Sequence, residues 1–437
     1  MAHALKILES IAIGSLDGAA IVAFLAAGVV CVALLERRIA QSVAPEPARA
    51  SADLAALLER LQHSLRLYAQ GLLTRDAGRF LPWLAAIISV ASGVVGFAAL
   101  SFGPAIRLAD LNTGLIFIFG ASFLAIHGGV LARGFSARSA SLAGLARNAL
   151  RVASFEAAAA LALLSGVILA GSISVKQVVE AQLDQGAWFF FLAPIGFLLY
   201  LASTIAGIDS VARPPVRAAL ERTEGPSDPS AVFRWPFGSL GATIHLLISA
   251  GLAVTVFWGG WLRPFASFRD HFAGTPVELL DVLPPVVMAA TAIYCRRAAS
   301  SELDAARKQV MKIASGICAV LFVMLAGVLF ASATTVLAVH GAFWFVAKTA
   351  AYVYGFLWLR ARVPQFRFGR PIRAAWNFLI PLAAINLIGV AAALVAREYW
   401  DWSPAISTVA MTIVALGLAV WLGLHDGSRT TTYGVES

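Results

Sequence analysis

Residues 240–262 read LGATIHLLISAGLAVTVFWGGWL, an apolar stretch in which His245 is the only ionisable side chain. A helix of about 20 apolar residues crosses the roughly 30 Å hydrocarbon core of a bilayer and satisfies its own backbone hydrogen bonds there. The stretch therefore predicts a transmembrane helix.

Similar apolar blocks recur along the whole chain. Of its 437 residues, 59% are hydrophobic and 13% are charged, a balance far from that of soluble globular proteins. The blocks predict approximate spans at 11–35, 80–102, 113–132, 152–173, 188–208, 240–262, 278–295, 313–338, 341–359, 377–396 and 404–424. The sequence thus predicts an all-α polytopic membrane protein, a single integral membrane domain (1–437) with about eleven transmembrane helices. The first block is interpreted as a retained span, because it is longer than a signal-peptide core.

The 33 Lys and Arg residues are distributed unevenly between the loops. Most lie on one side of the predicted membrane, in loops that include 36–79, 133–151 and 209–238, whereas Lys348 lies inside a span. Cationic loops stay on the cytoplasmic side. We therefore expect a bacterial inner-membrane protein with a periplasmic N-terminus and a cytoplasmic C-terminus. The net charge of +9 reflects this topology and does not indicate nucleic-acid binding.

The cytoplasmic loop 36–79 contains a stretch, 53–75, in which leucines alternate with polar residues at helical spacing. This pattern predicts an amphipathic interfacial helix, which serves either as a membrane-surface anchor or as the floor of a docking site. The three cysteines are isolated in or beside spans, so no metal site, Fe-S cluster or disulfide is predicted for this chain.

Five ordered sequence blocks resemble one known family. They are Glu36-Arg37-Arg38, Asp76 to Leu81 with Phe102-Gly103-Pro104, Gly114 to Glu156, Trp235 to Trp261, and Lys348 to Pro381. Together they resemble the H-subunit family of NADH-quinone oxidoreductase, the respiratory complex I membrane subunit that borders the quinone chamber. The resemblance covers about three quarters of the chain. It implies that eight helices form the family core, while 263–340 inserts two extra spans and 404–424 adds one.

The resemblance implies a chain of proton-carrying groups. Glu156 stands where the family has a carboxylate in its fourth span, whereas Ala242 replaces the carboxylate of the sixth. The acidic loop of the family is altered here, and only Glu221 keeps an acid in register, with Glu224 nearby. The proton-path candidates are Glu156, Glu221, Glu224, Lys348 and His245.

Each proton-path candidate also has a structural interpretation. Glu156 can pair with Arg147 or Arg151 near the membrane edge, and Glu221 and Glu224 can be solvated loop charges. His245 can be a hydrogen bonder between helices. Lys348 can snorkel to the membrane surface, or it can form an ion pair. The ion-pair partners considered for Lys348 are Glu156, Glu278 and Asp281.

Two further groups of residues follow from the resemblance. The quinone-chamber candidates are His63, Arg66, Glu36 and Arg37, although the glycine- and proline-rich family motif is replaced by residues 48–54. The candidates for docking soluble partners are Arg147, Arg213, Arg360 and Arg367. Hydrogen-bond donors at the end of an apolar tunnel are what a quinone headgroup requires.

The resulting hypothesis is a membrane subunit that links a soluble electron-transfer arm to a membrane arm and couples quinone reduction to proton translocation. The chain would have no active site of its own, quinone would bind at the interface, and flavin and Fe-S clusters would belong to partner subunits. Two alternatives stay open. One is a structural anchor of a related hydrogenase-like or ion-coupled complex without a quinone site, and the other is an independent secondary transporter.

Overall fold

The computed structural model describes most of the predicted spans and leaves several loops aside. The described residues are 22, 24–32, 35–36, 39, 80–103, 111–135, 142–212, 229–264, 279–301, 305–329, 333–362, 371–400 and 417. The described residues between 22 and 36 are helical and cover part of the predicted first span. The predicted span 404–424 lies outside the described residues except for position 417.

The described part of the chain is helical and contains no β-strand, which confirms the predicted all-α class. In chain order the helices are α1 (Phe80–Ala98), α2 (Gly114–Phe135), α3 (Leu142–Ala170), α4 (Val175–Asp184), α5 (Phe189–Leu192), α6 (Pro194–Ala212), α7 (Pro229–Phe257), α8 (Leu279–Ser301), α9 (Ala305–Val328), α10 (Ala333–Arg362), α11 (Pro371–Ala374) and α12 (Ile380–Trp400). A π-helical turn, Ala375–Leu379, joins α11 to α12.

Several of these helices are suited to cross a membrane. The stretches that are long and apolar enough are Gly114–Ala132, Leu142–Ala170, Leu240–Phe257, Met311–Val328, Val339–Arg362 and Ile372–Trp400. Two shorter apolar helices, Leu84–Ala98 and Pro194–Asp209, coincide with further predicted spans. These helices confirm a multi-pass membrane protein.

Helix α7 forms the centre of the bundle. Its stretch Leu240–Phe257, apolar on all sides, is 89% buried by the other helices, as expected for a helix without a polar face. It packs against α1, α2, α6 and α10, while α3 packs between α6 and α12. The apolar stretch 240–262 therefore supplies the core around which these helices pack.

One predicted boundary differs from the structure. The sequence predicts a join at His340 and Gly341, whereas α10 begins at Ala333 and continues through both residues. His340 is buried, and its Nε2 lies 3.4 Å from the carbonyl oxygen of Leu325 in α9. The packing of His340 against α9 favours continuation of α10 through this position. The glycine that follows does not end the helix, because one interior glycine costs a helix only about 1 kcal/mol.

The close approach of α7 to α1 and α2 depends on Gly241. A Cβ at this position would lie 2.7 Å from Ser89 Oγ and 2.9 Å from the carbonyl oxygen of Ala125. The two atoms are themselves joined, because Ser89 Oγ donates a hydrogen bond to that carbonyl. Neither atom can move aside without breaking this bond.

Gly241→Ala is therefore expected to destabilise the detergent-solubilised protein by about 1–3 kcal/mol, the usual cost of overpacking. Gly120→Ala is the matched control, because a Cβ at Gly120 meets no atom within 4 Å. In that helix the alanine should be neutral or slightly stabilising. Denaturation midpoints of both variants would measure the difference, and equal midpoints would contradict the proposed close packing.

Candidate functional site

A carboxylate and an imidazole form an ion pair or hydrogen bond inside the bundle. Glu156 of α3 and His245 of α7 are 3% and 2% exposed, and Glu156 Oε1 lies 3.2 Å from His245 Nε2. The predicted alternative, a pairing of Glu156 with Arg147, is not observed. Arg147 is exposed, and its Nε donates to the carbonyl oxygen of Ala143 in its own helix.

Two serines complete the surroundings of the imidazole. His245 Nδ1 lies 2.8 Å from Ser122 Oγ and 3.2 Å from the Ser122 carbonyl oxygen. An Nδ1–H satisfies both contacts, because a carbonyl only accepts and a hydroxyl can accept. On the other side of the ring, Ser249 Oγ lies 3.3 Å from Nε2. With Nδ1 as a donor, Nε2 faces Glu156 Oε1 and can either accept a hydrogen bond from the carboxylic acid or donate one to the carboxylate.

The polar groups continue along α6. The hydroxyl of Tyr200 donates to the carbonyl oxygen of Ser249, at 3.0 Å. Ser203 Oγ in α6 and Tyr352 Oη in α10 are buried and have no hydrogen-bond partner among the described residues. A Cβ at Gly207 would lie 3.6 Å from Glu156 Oε1, so this position of α6 faces the carboxylate directly. Glycine at this position brings no ionisable group to Glu156, whose ionisable partner among the described residues is His245.

Lys348 occupies a different part of the bundle from the one expected. Its Nζ donates to the carbonyl oxygens of Trp258 and Leu262, both at 2.7 Å, just beyond the end of α7. The same ammonium lies 5.0 Å from the centroid of the Trp188 ring. Trp258 is 13 residues from His245, about 20 Å along a helix, so Lys348 does not pair with Glu156, one of the three partners considered for it. The backbone carbonyls at the end of α7 lie closer to this lysine and accept its hydrogen bonds.

The segment that Lys348 binds, which follows the C-terminal end of α7, is a tight turn. Gly259 and Gly260 have positive φ angles of 70° and 51°, in the left-handed region where glycine is favoured. Gln182 Oε1 accepts hydrogen bonds from the backbone N–H groups of Gly259 and Phe189. Lys348 thus binds two carbonyls of this turn, while Gln182 binds one of its amides, that of Gly259. Of the other expected partners, Glu278 and the side chain of Asp281 lie outside the described residues.

A third cluster joins three helices near the C-terminal end of α10. Arg360 Nε donates to Asp209 Oδ1 at 2.6 Å, and Arg360 NH1 donates to Glu36 Oε1 at 2.8 Å. Sequence reasoning assigned Arg360 to docking and Glu36 to the quinone chamber, whereas the structure brings them together. Asp209 was missed, although a carboxylate at the end of a predicted span was the available signal.

Of the remaining candidates, the structure describes only Arg147. Those outside the described residues are Arg37, His63, Arg66, Arg213, Glu221, Glu224 and Arg367. Ser122, Ser249 and Tyr200 contact the site and were not predicted, because hydroxyl residues are common in membrane helices and carry no distinctive spacing. In the part of the chain that the structure describes, no three His, Cys, Asp or Glu side chains are grouped as metal ligands.

Comparison with known proteins agrees with this architecture. The sequence model of the NADH dehydrogenase family matches residues 17–391. NADH-quinone oxidoreductase H subunit 2 of Solibacter usitatus is 29% identical over 76% of this chain and 84% of its own length. The corresponding H subunit 1 of Koribacter versatilis is 28% identical over 78% of this chain and 82% of its own. Because the match includes Glu156, His245, Lys348 and Arg360 and extends over most of the sequence, the chain belongs to the NADH dehydrogenase family.

Proposed function

We propose that this chain is the membrane subunit of a complex I-like NADH-quinone oxidoreductase. It would join the soluble electron-transfer arm to the membrane arm beside the quinone chamber, in a bacterial inner membrane. Its family membership, the names of its relatives and its multi-pass helical fold support this proposal. Flavin and Fe-S clusters would lie in partner subunits, and quinone would bind at their interface with this chain.

The buried Glu156–His245 pair is the observation that carries the coupling part of the proposal. Burial of an isolated ionised group costs several kcal/mol even after relaxation, so intramembrane carboxylates usually serve a function. At 3.2 Å the pair can exist as carboxylate and imidazolium or as neutral acid and neutral imidazole. The two forms differ only in the position of one proton, so that proton can pass between the two side chains within the pair.

A proton route requires polar groups on both sides of this pair. Ser249 and Tyr200 extend the polar groups along α6 and α7, and the buried hydroxyls of Ser203 and Tyr352 are groups to which bridging waters can bond. Glu221 and Glu224 in the loop 209–238 would supply acids at the cytoplasmic entrance. Lys348 lies too far from Glu156 for direct exchange, and we assign it a role in holding the end of α7.

The Arg360 cluster would lie beside the quinone chamber. It fixes Glu36, at the start of the loop 36–79, against α6 and α10. That loop also carries Arg37, His63 and Arg66, the candidate donors for a quinone headgroup. Arg147, Arg213 and Arg367 would contact the soluble arm from neighbouring cytoplasmic loops.

Purification of the tagged chain from its native membrane in a mild detergent tests this function. We expect Fe-S and antiporter-like subunits to copurify, identified by mass spectrometry, together with NADH-quinone reductase activity. The same partners without quinone-reductase activity would replace the proposal with that of a structural anchor. A chain that purifies alone would contradict both proposals and favour a transporter.

A further inference from the structure

The hairpin formed by α8 and α9 exposes an unusually apolar surface. The stretch Met311–Val328 of α9 is 6% buried, in contrast to the central helix α7. Its exposed large side chains include Ile313, Ile317, Val320, Leu321, Val323 and Met324. The two helices pack mainly on each other, and their contacts with the rest of the bundle are through α10. The outer face of α9 is therefore free to contact the surrounding membrane.

The polar atoms of the hairpin favour lipid over a second helix on this face. Ser315 Oγ donates to the Ala292 carbonyl oxygen, Thr291 Oγ1 to that of Val287, and Ser300 Oγ to that of Arg297. These hydroxyls are thus bonded within the hairpin. Helices that associate in membranes use paired small residues and outward hydrogen-bonding groups. Gly316 is followed one turn later by Val320, so the face offers branched aliphatic side chains instead.

Four cations lie at the closed end of the hairpin. Arg296 and Arg297 are in the last turns of α8, Lys308 and Lys312 are in the first turns of α9, and all four are exposed. The Ser315–Ala292 contact places Arg296 and Lys312 at similar depth, each about one turn nearer the connection. None of the four forms an ion pair with a carboxylate that the structure describes. Residues 296–312 contain five basic and two acidic residues.

We propose that the α8–α9 hairpin binds an anionic phospholipid, with the acyl chains along the outer face of α9 and the phosphate at these four cations. A zwitterionic headgroup has no net charge for the cations to attract, whereas each Lys or Arg near an anionic membrane surface strengthens binding by about fivefold. The basic-residue distribution assigns this end to the cytoplasmic leaflet, where an anionic lipid is accessible. The inference goes beyond the proposed function and does not depend on a proton or quinone role.

Native mass spectrometry of the full-length chain, titrated with phosphatidylglycerol or phosphatidylcholine, tests this lipid site. We expect tighter binding of phosphatidylglycerol, weakened by added salt because charges at the surface are screened. Lys308→Gln with Lys312→Gln should weaken phosphatidylglycerol binding by about 25-fold and leave phosphatidylcholine binding unchanged. Lys308→Arg with Lys312→Arg should retain the preference.

Lys176→Gln with Arg397→Gln is the matched control, because it removes two positive charges from the opposite membrane side. It should retain phosphatidylglycerol binding. An equal loss in the control would overturn the site in favour of a net-charge effect. Equal binding of the two lipids by the unmodified chain, or loss of a copurifying acidic protein in place of lipid from the Lys308 and Lys312 variant, would also overturn it. NADH-quinone reductase activity is measured separately, so either proposal can fail without the other.

Discussion

Glu156→Gln is expected to abolish proton translocation by the assembled complex while the protein still folds. The glutamine side chain has nearly the same volume, and its amide can donate a hydrogen bond to His245 Nε2 in place of the carboxylic acid. It cannot bind or release a proton. The pair could then no longer adopt its carboxylate–imidazolium form, and a route through it would be interrupted.

The measurement compares protons translocated per electron in vesicles that contain the purified complex. Glu180→Gln is the matched control, because it makes the same chemical change at an exposed glutamate that pairs with Lys176 in α4. The control should retain the wild-type ratio. His245→Gln should resemble Glu156→Gln, since it removes the other proton-binding group. An unchanged ratio in Glu156→Gln would remove this residue from the proton route.

The sequence predicts the membrane class and most spans because the relevant signal is local. A run of about 20 apolar residues identifies a span whatever its neighbours are. The same signal identifies Glu156, His245 and Lys348, since an ionisable group inside such a run is conspicuous. The local signal does not identify the residues with which these three side chains pair. Pairing depends on the rotation of each helix about its axis and on its depth, which are set by packing among several helices.

Lys348 and Arg360 show two reasons why the hydrogen-bond partners of a residue could not be predicted from the sequence. Lys348 bonds to backbone carbonyls, which every residue possesses, so no side-chain pattern could identify Trp258 or Leu262. Arg360 does bond to side chains, but Glu36 and Asp209 lie on two other helices far away in sequence. Glu221, Glu224, His63 and Arg66 lie outside the described residues, and their roles stay predictions.

Removal of the Lys348 ammonium is expected to destabilise the protein strongly. Lys348→Met keeps the length of the side chain but deprives two carbonyls of their donor, and each unsatisfied buried acceptor costs about 1–3 kcal/mol. It also removes a cation from the negative end of α7 and from the face of Trp188. Against these losses, the substitution removes the free-energy cost of burying a charge. The two short hydrogen bonds already offset much of that cost, so we expect a net loss of about 2–4 kcal/mol.

Denaturation midpoints of the detergent-solubilised protein would measure this loss, with Lys348→Gln as the control that retains a hydrogen-bond donor. Gln should be less damaging than Met if Lys348 acts by binding the turn at Trp258 and Leu262. The ratio of protons to electrons should stay normal in any Lys348→Met complex that assembles, because the residue lies about 20 Å from His245. A Met variant as stable as the unmodified chain, but with reduced proton translocation, would contradict the anchoring role. It would show instead that the bundle retains this lysine for its charge, as the sequence-based hypothesis of a proton path supposes.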